Sequence, residues 1–209
     1  MKSIQTDTVF IYPACALPFD DAKLIVEVGP GRGDFLFHLA ETNPEASVVG
    51  IEIKKKRVDK LIVRTEKRGR RNVCIIQDDA REALPRFFGE ASIDEIHIMF
   101  PDPWPKRRHE KNRAVNAAFL DICGSRLKPD GLLYFTTDHR EYAEGVARIF
   151  AQIPEYESCY PGGISKSCCD AFPTFFAQKW IAMGREIFYQ RYKRARPAPM
   201  DQPVSGPKP

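Results

Sequence analysis

The sequence lacks the features that would place it in a membrane, in the secretory pathway or around a metal. No apolar run approaches the roughly 20 residues that a membrane-spanning helix needs. The first residues, MKSIQTDTVF, do not show the basic-then-apolar pattern of a signal peptide. The six cysteines include no CxxC pair, which disfavours a zinc site at Cys159, Cys168 and Cys169. We therefore expect a cytoplasmic protein without a bound metal.

The composition is that of a globular protein with unevenly distributed positive charge. Of 209 residues, 43% are hydrophobic and 29% are charged, and the formal net charge is only +4. Each basic cluster alone could be a solvated helix face, but four of them on one chain favour a polyanionic partner. The four clusters are residues 54–60, 64–71, 106–113 and 191–196.

Short apolar runs alternate with longer amphipathic segments along the chain. This alternation predicts right-handed crossovers and an α/β fold with a doubly wound, mainly parallel sheet. The predicted strands are residues 23–29, 47–53, 72–77, 93–100 and 131–137. The predicted helices are residues 34–42, a basic helix ending near Arg68, a short helix containing 81–88, 113–127 and 140–152.

The ends of the chain differ in composition from its middle. Residues 185–192 predict an antiparallel edge strand near the C-terminus. The last residues, RPAPMDQPVSGPKP, are rich in proline and poor in core-forming side chains, which predicts disorder. We therefore expect an N-terminal arm over 1–22, one domain over 23–193 and a disordered tail over 194–209.

Three glycines, Gly29, Gly31 and Gly33, separate the first predicted strand from the first helix. Glycines at this place allow a tight turn and a close approach of the backbone to a ligand, although a plain strand-to-helix turn needs them too. The third glycine comes one residue earlier than in G-x-G-x-x-G, and no GK[ST] follows. Asp34 stands where a pyrophosphate would bind and would repel it. The loop therefore predicts a nucleoside ligand without phosphates.

Acidic residues follow the next two predicted strands. Glu52 lies 19 residues after Gly33, where a carboxylate accepts hydrogen bonds from ribose hydroxyls. Asp79 follows the third strand and predicts a contact to an adenine amino group, an N-cap of the helix near Arg81, or both. With Glu27 before the glycines, this pattern resembles class I S-adenosylmethionine-dependent methyltransferases. The ammonium and sulfonium of that cofactor suit an acid-rich pocket.

The stretch MFPDPWPKRRHEK, residues 99–111, follows the fourth predicted strand. Its alternate prolines remove backbone donors and predict a stiff loop, which suits a preorganised site. In the methyltransferase architecture that the chain resembles, Asp102 at the strand end would be the group nearest the cofactor. Trp104 offers a stacking surface for a base unless it packs in the core. The same letters also fit a Pro-rich surface loop. Phosphate contacts are predicted for Lys106, Arg107, Arg108, Lys111 and Arg113.

The chain is similar to the bacterial tRNA (guanine-N7-)-methyltransferase family in three motifs. These are FPDPWPK, GPGRGD at 29–34 and TTD at 136–138. The resemblance covers about residues 23–190. It implies a Rossmann-like class I methyltransferase fold, S-adenosylmethionine as cofactor and tRNA as substrate. It also implies Asp102 as the catalytic residue. The cofactor-binding residues that it implies are Glu27, Gly29, Gly31, Gly33, Glu52, Asp79, Ala80 and Asp102.

The substrate contacts implied by the resemblance include a C-terminal segment of T-x-[FY]-E type. Here that segment reads TFFA, so Ala177 replaces the acid, and Gln178 is a possible substitute for it. A tRNA contact made by that carboxylate in the family is therefore in doubt. The implied substrate-binding residues are Lys106, Asp138, Thr174 and Phe176.

The reaction implied by the resemblance is methylation of guanine N7 at position 46 of the tRNA variable loop. N7 carries a free lone pair, so no base has to remove a proton before it attacks the methyl group. Aligning N7, methyl and sulfur can lower the barrier by roughly 7–11 kcal/mol. Asp102 or Asp138 would favour the positive charge that develops on guanine.

Other functions fit parts of the same sequence. A methyltransferase of this fold acting on another base or on a protein is the nearest, because PDPW distantly resembles [ND]PP[YFW] loops. The intact acids of the predicted cofactor site disfavour a non-catalytic RNA-binding protein on this scaffold. The glycine spacing and Asp34 disfavour a nicotinamide-dependent dehydrogenase. A monomer and a homodimer are both compatible with the sequence.

Overall fold

A computed structural model describes residues 4–6, 9–12, 23–105, 108, 112–168 and 172–195. The described strands form one sheet, with α-helices on both faces. The strands are β1 (Ile4–Thr6), β2 (Val9–Tyr12), β3 (Leu24–Val28), β4 (Ser47–Ile51), β5 (Val73–Gln77), β6 (Ile93–Met99), β7 (Leu127–Thr137), β8 (Tyr156–Ser158) and β9 (Phe188–Arg194). The helices are α1 (Asp34–Thr42), α2 (Lys55–Arg68), α3 (Ala80–Phe87), α4 (Ala117–Arg126), α5 (Arg140–Phe150) and α6 (Phe175–Ala182). Within this part of the chain, the helices are all too short or too polar to cross a membrane.

The strands are arranged in the order β1-β2-β5-β4-β3-β6-β7-β9-β8. The five central strands, from β5 to β7, run parallel, so their carboxyl ends meet at one edge of the sheet. β9 runs antiparallel to β7, with Leu132 opposite Lys193 and Thr137 opposite Phe188. The predicted doubly wound, mainly parallel sheet with an antiparallel strand near the C-terminus is confirmed.

The central strands are apolar throughout because helices cover both faces of the sheet. One face packs α1 and α2 on the sheet, with Leu36, Phe37 and Leu61 fully buried. The other face holds the larger cluster, which includes Leu84, Phe119 and other residues of α3, α4 and α5. The buried residues of α2 recur at intervals of three or four, which directs one side of a strongly basic helix to the core.

Several boundaries differ from the sequence-based expectations. The predicted arm contains β1 and β2, and β2 pairs antiparallel with β5. α4 begins at Ala117 rather than near 113, because the Asn116 side chain accepts the Phe119 amide at 3.0 Å and caps the helix there. β7 begins at Leu127 and passes through Asp130, whose φ is 65°. β9 pairs with β8 on its outer side. The predicted tail beyond residue 195 lies outside the described residues.

Candidate active site

The glycine loop between β3 and α1 is held in a left-handed conformation at its three glycines. The φ angles are 70° at Gly29, 55° at Gly31 and 80° at Gly33. A Cβ atom at Gly33 would collide with Leu61 and Phe37, so α1 can pack closely on α2 only if this residue is glycine. Gly33 is thus a packing residue, whereas Gly29 and Gly31 border the open cleft described below.

Glu52, directly after β4, fixes the loop from the neighbouring strand. Its side chain is 2% exposed, and its Oε2 accepts the Gly31 amide at 3.2 Å. Oε1 accepts the Lys54 amide at 2.9 Å, and Arg57 approaches Oε2 to 3.6 Å. A carboxylate offers about four lone-pair positions, so Glu52 retains acceptor capacity for a diol.

Glu27 is a buried carboxylate at the centre of the site. Its Oε2 is buried and has no hydrogen-bond partner among the described residues. Burial, followed by repulsion from Asp34 and Glu52, raises the pKa of Glu27 to about 8. An uncompensated carboxylate of this kind is costly in the empty protein and fits a cationic group of a ligand.

Asp79 caps α3, the helix that begins at Ala80, which is one of the two roles predicted for it. Its Oδ1 accepts the Arg81 amide at 2.9 Å, and its Oδ2 contacts the Arg81 guanidinium at 2.5 Å. Hydrogen bonds from Arg81 hold the pKa of Asp79 below its usual value. The carboxylate is therefore fixed and charged at the carboxyl end of β5.

The loop after β6 places Asp102 between two strained residues. Phe100 and Trp104 have φ angles of 50° and 43°, which are unfavourable for bulky side chains. Arg113 stabilises the loop, because its Nε donates to the Pro103 carbonyl at 2.9 Å while its guanidinium lies over Tyr142. Asp102 is exposed, and Trp104 is 37% exposed rather than packed in the core.

Arg113 thus supports the loop, which is a different task from the predicted phosphate contact. Lys106, Arg107 and Lys111 lie outside the described residues, so their predicted contacts remain predictions.

The predicted substrate residues of the C-terminal part come together at α6 and at the end of β7. Thr174 caps α6, and its hydroxyl accepts the Ala177 amide at 3.0 Å. Phe176 is 37% exposed and packs near Phe100, with 6.3 Å between ring centroids. Asp138 follows β7 and forms an ion pair of 2.6 Å with Arg185.

Apart from Gly33 and Asp138, these residues border one cleft with two parts. The larger part has a volume of about 520 Å³, the smaller part about 80 Å³, and Gly29 and Asp102 line both. The larger part is lined by Glu52, Asp79, Ala80, Trp104 and Arg113, among others. The smaller part is lined by Glu27, Gly31, Asp34, Thr174 and Phe176, among others.

Ala177 is buried and lines a neighbouring cavity of about 180 Å³ instead of the cleft. The Gln178 amide donates to the Pro173 carbonyl at 2.8 Å, so this side chain is already engaged locally.

Comparison with known proteins places this cleft in a family. A family model described as "Putative methyltransferase" matches residues 21–190. The chain is 37% identical over 174 residues to the tRNA (guanine-N(7)-)-methyltransferase of Nitrosococcus oceani, an alignment that covers 83% of this chain and 72% of the relative. The chain belongs to the tRNA (guanine-N(7)-)-methyltransferase family. The resemblance seen in the sequence is therefore confirmed.

Further relatives carry the same name. The protein of Methylobacillus flagellatus is 39% identical over 171 residues, which cover 81% of this chain and 71% of that protein. The protein of Chromohalobacter salexigens is 39% identical over 140 residues, covering 67% of this chain and 57% of that protein. The chain thus spans 57% to 72% of the length of these relatives.

Solved structures confirm the fold class. A SAM-dependent methyltransferase from Aquifex aeolicus aligns with a TM-score of 0.60 and 14% identity, covering 83% of this chain and 82% of that one. An rRNA methylase from Streptococcus thermophilus aligns with a TM-score of 0.58 and 13% identity, covering 85% of this chain and 89% of that one. At these identities the likeness concerns the fold alone.

The residues of the cleft fit S-adenosylmethionine. The unpartnered carboxylate of Glu27 suits a cation, and the buried Glu52 suits a ribose diol. The sequence did not reveal the arginine partners of the predicted acids, Arg57, Arg81 and Arg185. Arg81 follows Asp79 closely, but Arg185 reaches Asp138 across 47 residues and could be found only from the fold.

Proposed function

We propose that this protein transfers a methyl group from S-adenosylmethionine to N7 of guanine in tRNA, at position 46 of the variable loop. The name that its relatives carry supports this reaction. Within the chain, the observation that carries the proposal is the position of Asp102, which lines both parts of the cleft. We further propose that residues 23–193 form the catalytic domain and that the enzyme acts in the cytoplasm.

Cofactor binding is assigned to the acids and the glycine loop. S-adenosylmethionine, when bound, supplies a methyl group on a positively charged sulfur. Glu27 is proposed to bind the ammonium group of the cofactor, because its buried Oε2 atom has no hydrogen-bond partner among the described residues. Glu52 is proposed to accept hydrogen bonds from the ribose hydroxyls, and Asp79 from the adenine amino group beside Ala80. Gly29 and Gly31 allow the backbone to approach the cofactor closely.

Asp102 is proposed to hold guanine in line with the methyl group. Its carboxylate can accept hydrogen bonds from guanine N1–H and the amino group, and its charge favours the positive charge that moves onto the ring. No proton has to leave N7, so Asp102 acts through position and electrostatics rather than as a base. The backbone on both sides of this residue is held in an unfavourable conformation, with positive φ at Phe100 and Trp104. Such alignment can be worth roughly 7–11 kcal/mol.

Substrate contacts are proposed for Lys106, Asp138, Thr174 and Phe176. The Thr174 hydroxyl accepts a backbone hydrogen bond and keeps its proton to donate to the substrate. Asp138 is held by Arg185 at 2.6 Å, so the position of its carboxylate is fixed before the substrate arrives. Phe176 offers part of its ring face to the cleft.

Radiolabelled methyl transfer to bulk tRNA, followed by nucleoside analysis, tests the proposal directly. We expect label in 7-methylguanosine, and a transcript whose guanosine 46 is replaced by adenosine should accept none. Label in another nucleoside, or transfer to protein only, would contradict the assigned reaction. Methylation of N7 at another guanosine would contradict only the position.

A further inference from the structure

α6 is an apolar helix that the other described residues hardly cover. Of its eight residues, FFAQKWIA, only Ala177 is buried. Phe175 is 43% exposed, Ile181 is 58% exposed and Met183, just after the helix, is 59% exposed. A helix with apolar residues on most of its sides is normally covered by a partner. The question is therefore which partner covers α6.

The two ends of α6 lie at the two acids assigned to guanine. Phe175 and Phe176, at its start, line the small part of the cleft together with Asp102. Arg185, shortly after its end, binds Asp138 at the carboxyl end of β7. A macromolecule that places a base at these acids therefore comes close to both ends of α6.

Cations lie over two rings of α6, those of the exposed Phe175 and the half-buried Trp180. The Arg32 guanidinium lies 4.3 Å from the Phe175 ring centroid, and Arg185 lies 4.2 Å from that of Trp180. The Lys179 ammonium lies 4.5 Å from the Trp180 ring, and Lys179 forms no ion pair with another described residue. Exposed rings next to cations suit unstacked bases and phosphates of a single strand.

The charge also argues against a second copy of the chain as the partner. A symmetric contact through α6 would bring Arg32, Lys179 and Arg185 of both copies to the same interface. Asp138 is already neutralised by Arg185, and Glu186 by Arg140 and Lys166, so few acids remain to compensate.

We propose that α6, with Arg32, Lys179 and Arg185, forms a docking surface for the RNA strand next to the target guanosine. This surface goes beyond the contacts of Thr174 and Phe176 and extends along the whole helix. The inference rests on the proposed function, because it takes tRNA as the molecule that enters the cleft.

Two variants test the surface without touching the cleft. Ile181→Ser combined with Met183→Ser removes exposed apolar area, and Lys179→Gln removes one unpaired cation. Matched controls are Val63→Ser, an apolar residue of α2 that is 48% exposed, and Lys128→Gln, a lysine at the start of β7 outside the four basic clusters. The measurements are the Kd of a tRNA transcript at several salt concentrations, the KM and kcat of methyl transfer, and the Kd of S-adenosylmethionine.

We expect the double variant to raise the Kd and the KM for tRNA at least fivefold, with kcat and cofactor affinity unchanged. Lys179→Gln should lower the slope of log Kd against log salt by about one. Both controls should behave as the wild type does.

Unchanged tRNA affinity and KM in both variants would overturn the inference, even if the wild type methylates guanine N7. A wild-type dimer that the double variant dissociates, without any loss of tRNA affinity, would also overturn it, because α6 would then bind a second copy. A wild type that binds tRNA through α6 but transfers no methyl group to it would support the surface and refute the proposed function.

Discussion

Glu27→Gln should remove a pH dependence that the buried carboxylate imposes on folding. Burial raises the pKa of Glu27 to about 8 from 4.5, so the native state binds more protons than the unfolded state between these values. The contribution of Glu27 to stability is therefore greatest below pH 4.5 and falls as the pH rises towards 8. Relative to the variant, the free energy of unfolding should fall by about 3 kcal/mol between pH 5 and pH 7.5.

The same carboxylate should couple cofactor binding to proton release. Near pH 7 the empty site holds Glu27 mostly protonated, and an ammonium bound there favours the ionised form. Binding of S-adenosylmethionine should therefore release about one proton at pH 7, and the affinity should rise about tenfold from pH 6 to pH 7. The α-amino group of the cofactor stays mostly charged in this range, since such groups have a pKa near 7.7–8.0.

Calorimetry in buffers of different ionisation enthalpy measures this proton release, and urea denaturation over pH 5 to 7.5 measures the stability. Glu27→Gln should bind the cofactor more weakly, release no proton and show a flat affinity from pH 6 to pH 7. A wild type with no proton release and a flat affinity would refute the assignment of Glu27 to the ammonium. An identical pH dependence of stability in both proteins would refute the raised pKa.

Three other substitutions probe Gly33, Asp102 and Lys106. Gly33→Ala should lower the free energy of unfolding, measured by urea denaturation, by about 2–4 kcal/mol. The reason is that φ is 80° at this residue and the added methyl group meets Leu61 and Phe37. A loss below about 1 kcal/mol would contradict this packing. Asp102→Asn should fold and bind the cofactor but lose most of its kcat for methyl transfer, and full turnover would exclude the electrostatic role. Lys106→Ala should weaken tRNA binding more than cofactor binding and lower the salt slope by about one; an unchanged affinity and slope would exclude a phosphate contact.

The parallel core and the cleft acids could be predicted from the sequence because both depend on local patterns. Alternating apolar runs indicate the strands, and residues that follow them, such as Glu52 and Asp79, must meet at one edge. The hairpin of β1 and β2 was missed because its two strands are too short to show a period. The ion pair of Asp138 with Arg185 was missed because it joins residues that only the antiparallel return of β9 brings together.

The exposed apolar surface of α6 was missed for a different reason. FFAQKWIA has the composition of a buried helix, and sequence alone cannot show that the fold leaves most of it uncovered. Gly33 shows a related limit, since the sequence could not show that the absence of its Cβ also makes room for Leu61 and Phe37.

The hairpin of β1 and β2 also determines how the sheet ends. Without β2, the outer side of β5 would present a row of unpaired backbone groups to other chains. With it, the terminal strand on that side is β1, which has three residues, and the terminal strand on the other side is β8, which also has three. Strand addition at either edge could therefore add only a few hydrogen bonds. Association of the described residues with another chain therefore depends mainly on side-chain surfaces rather than on the sheet edges.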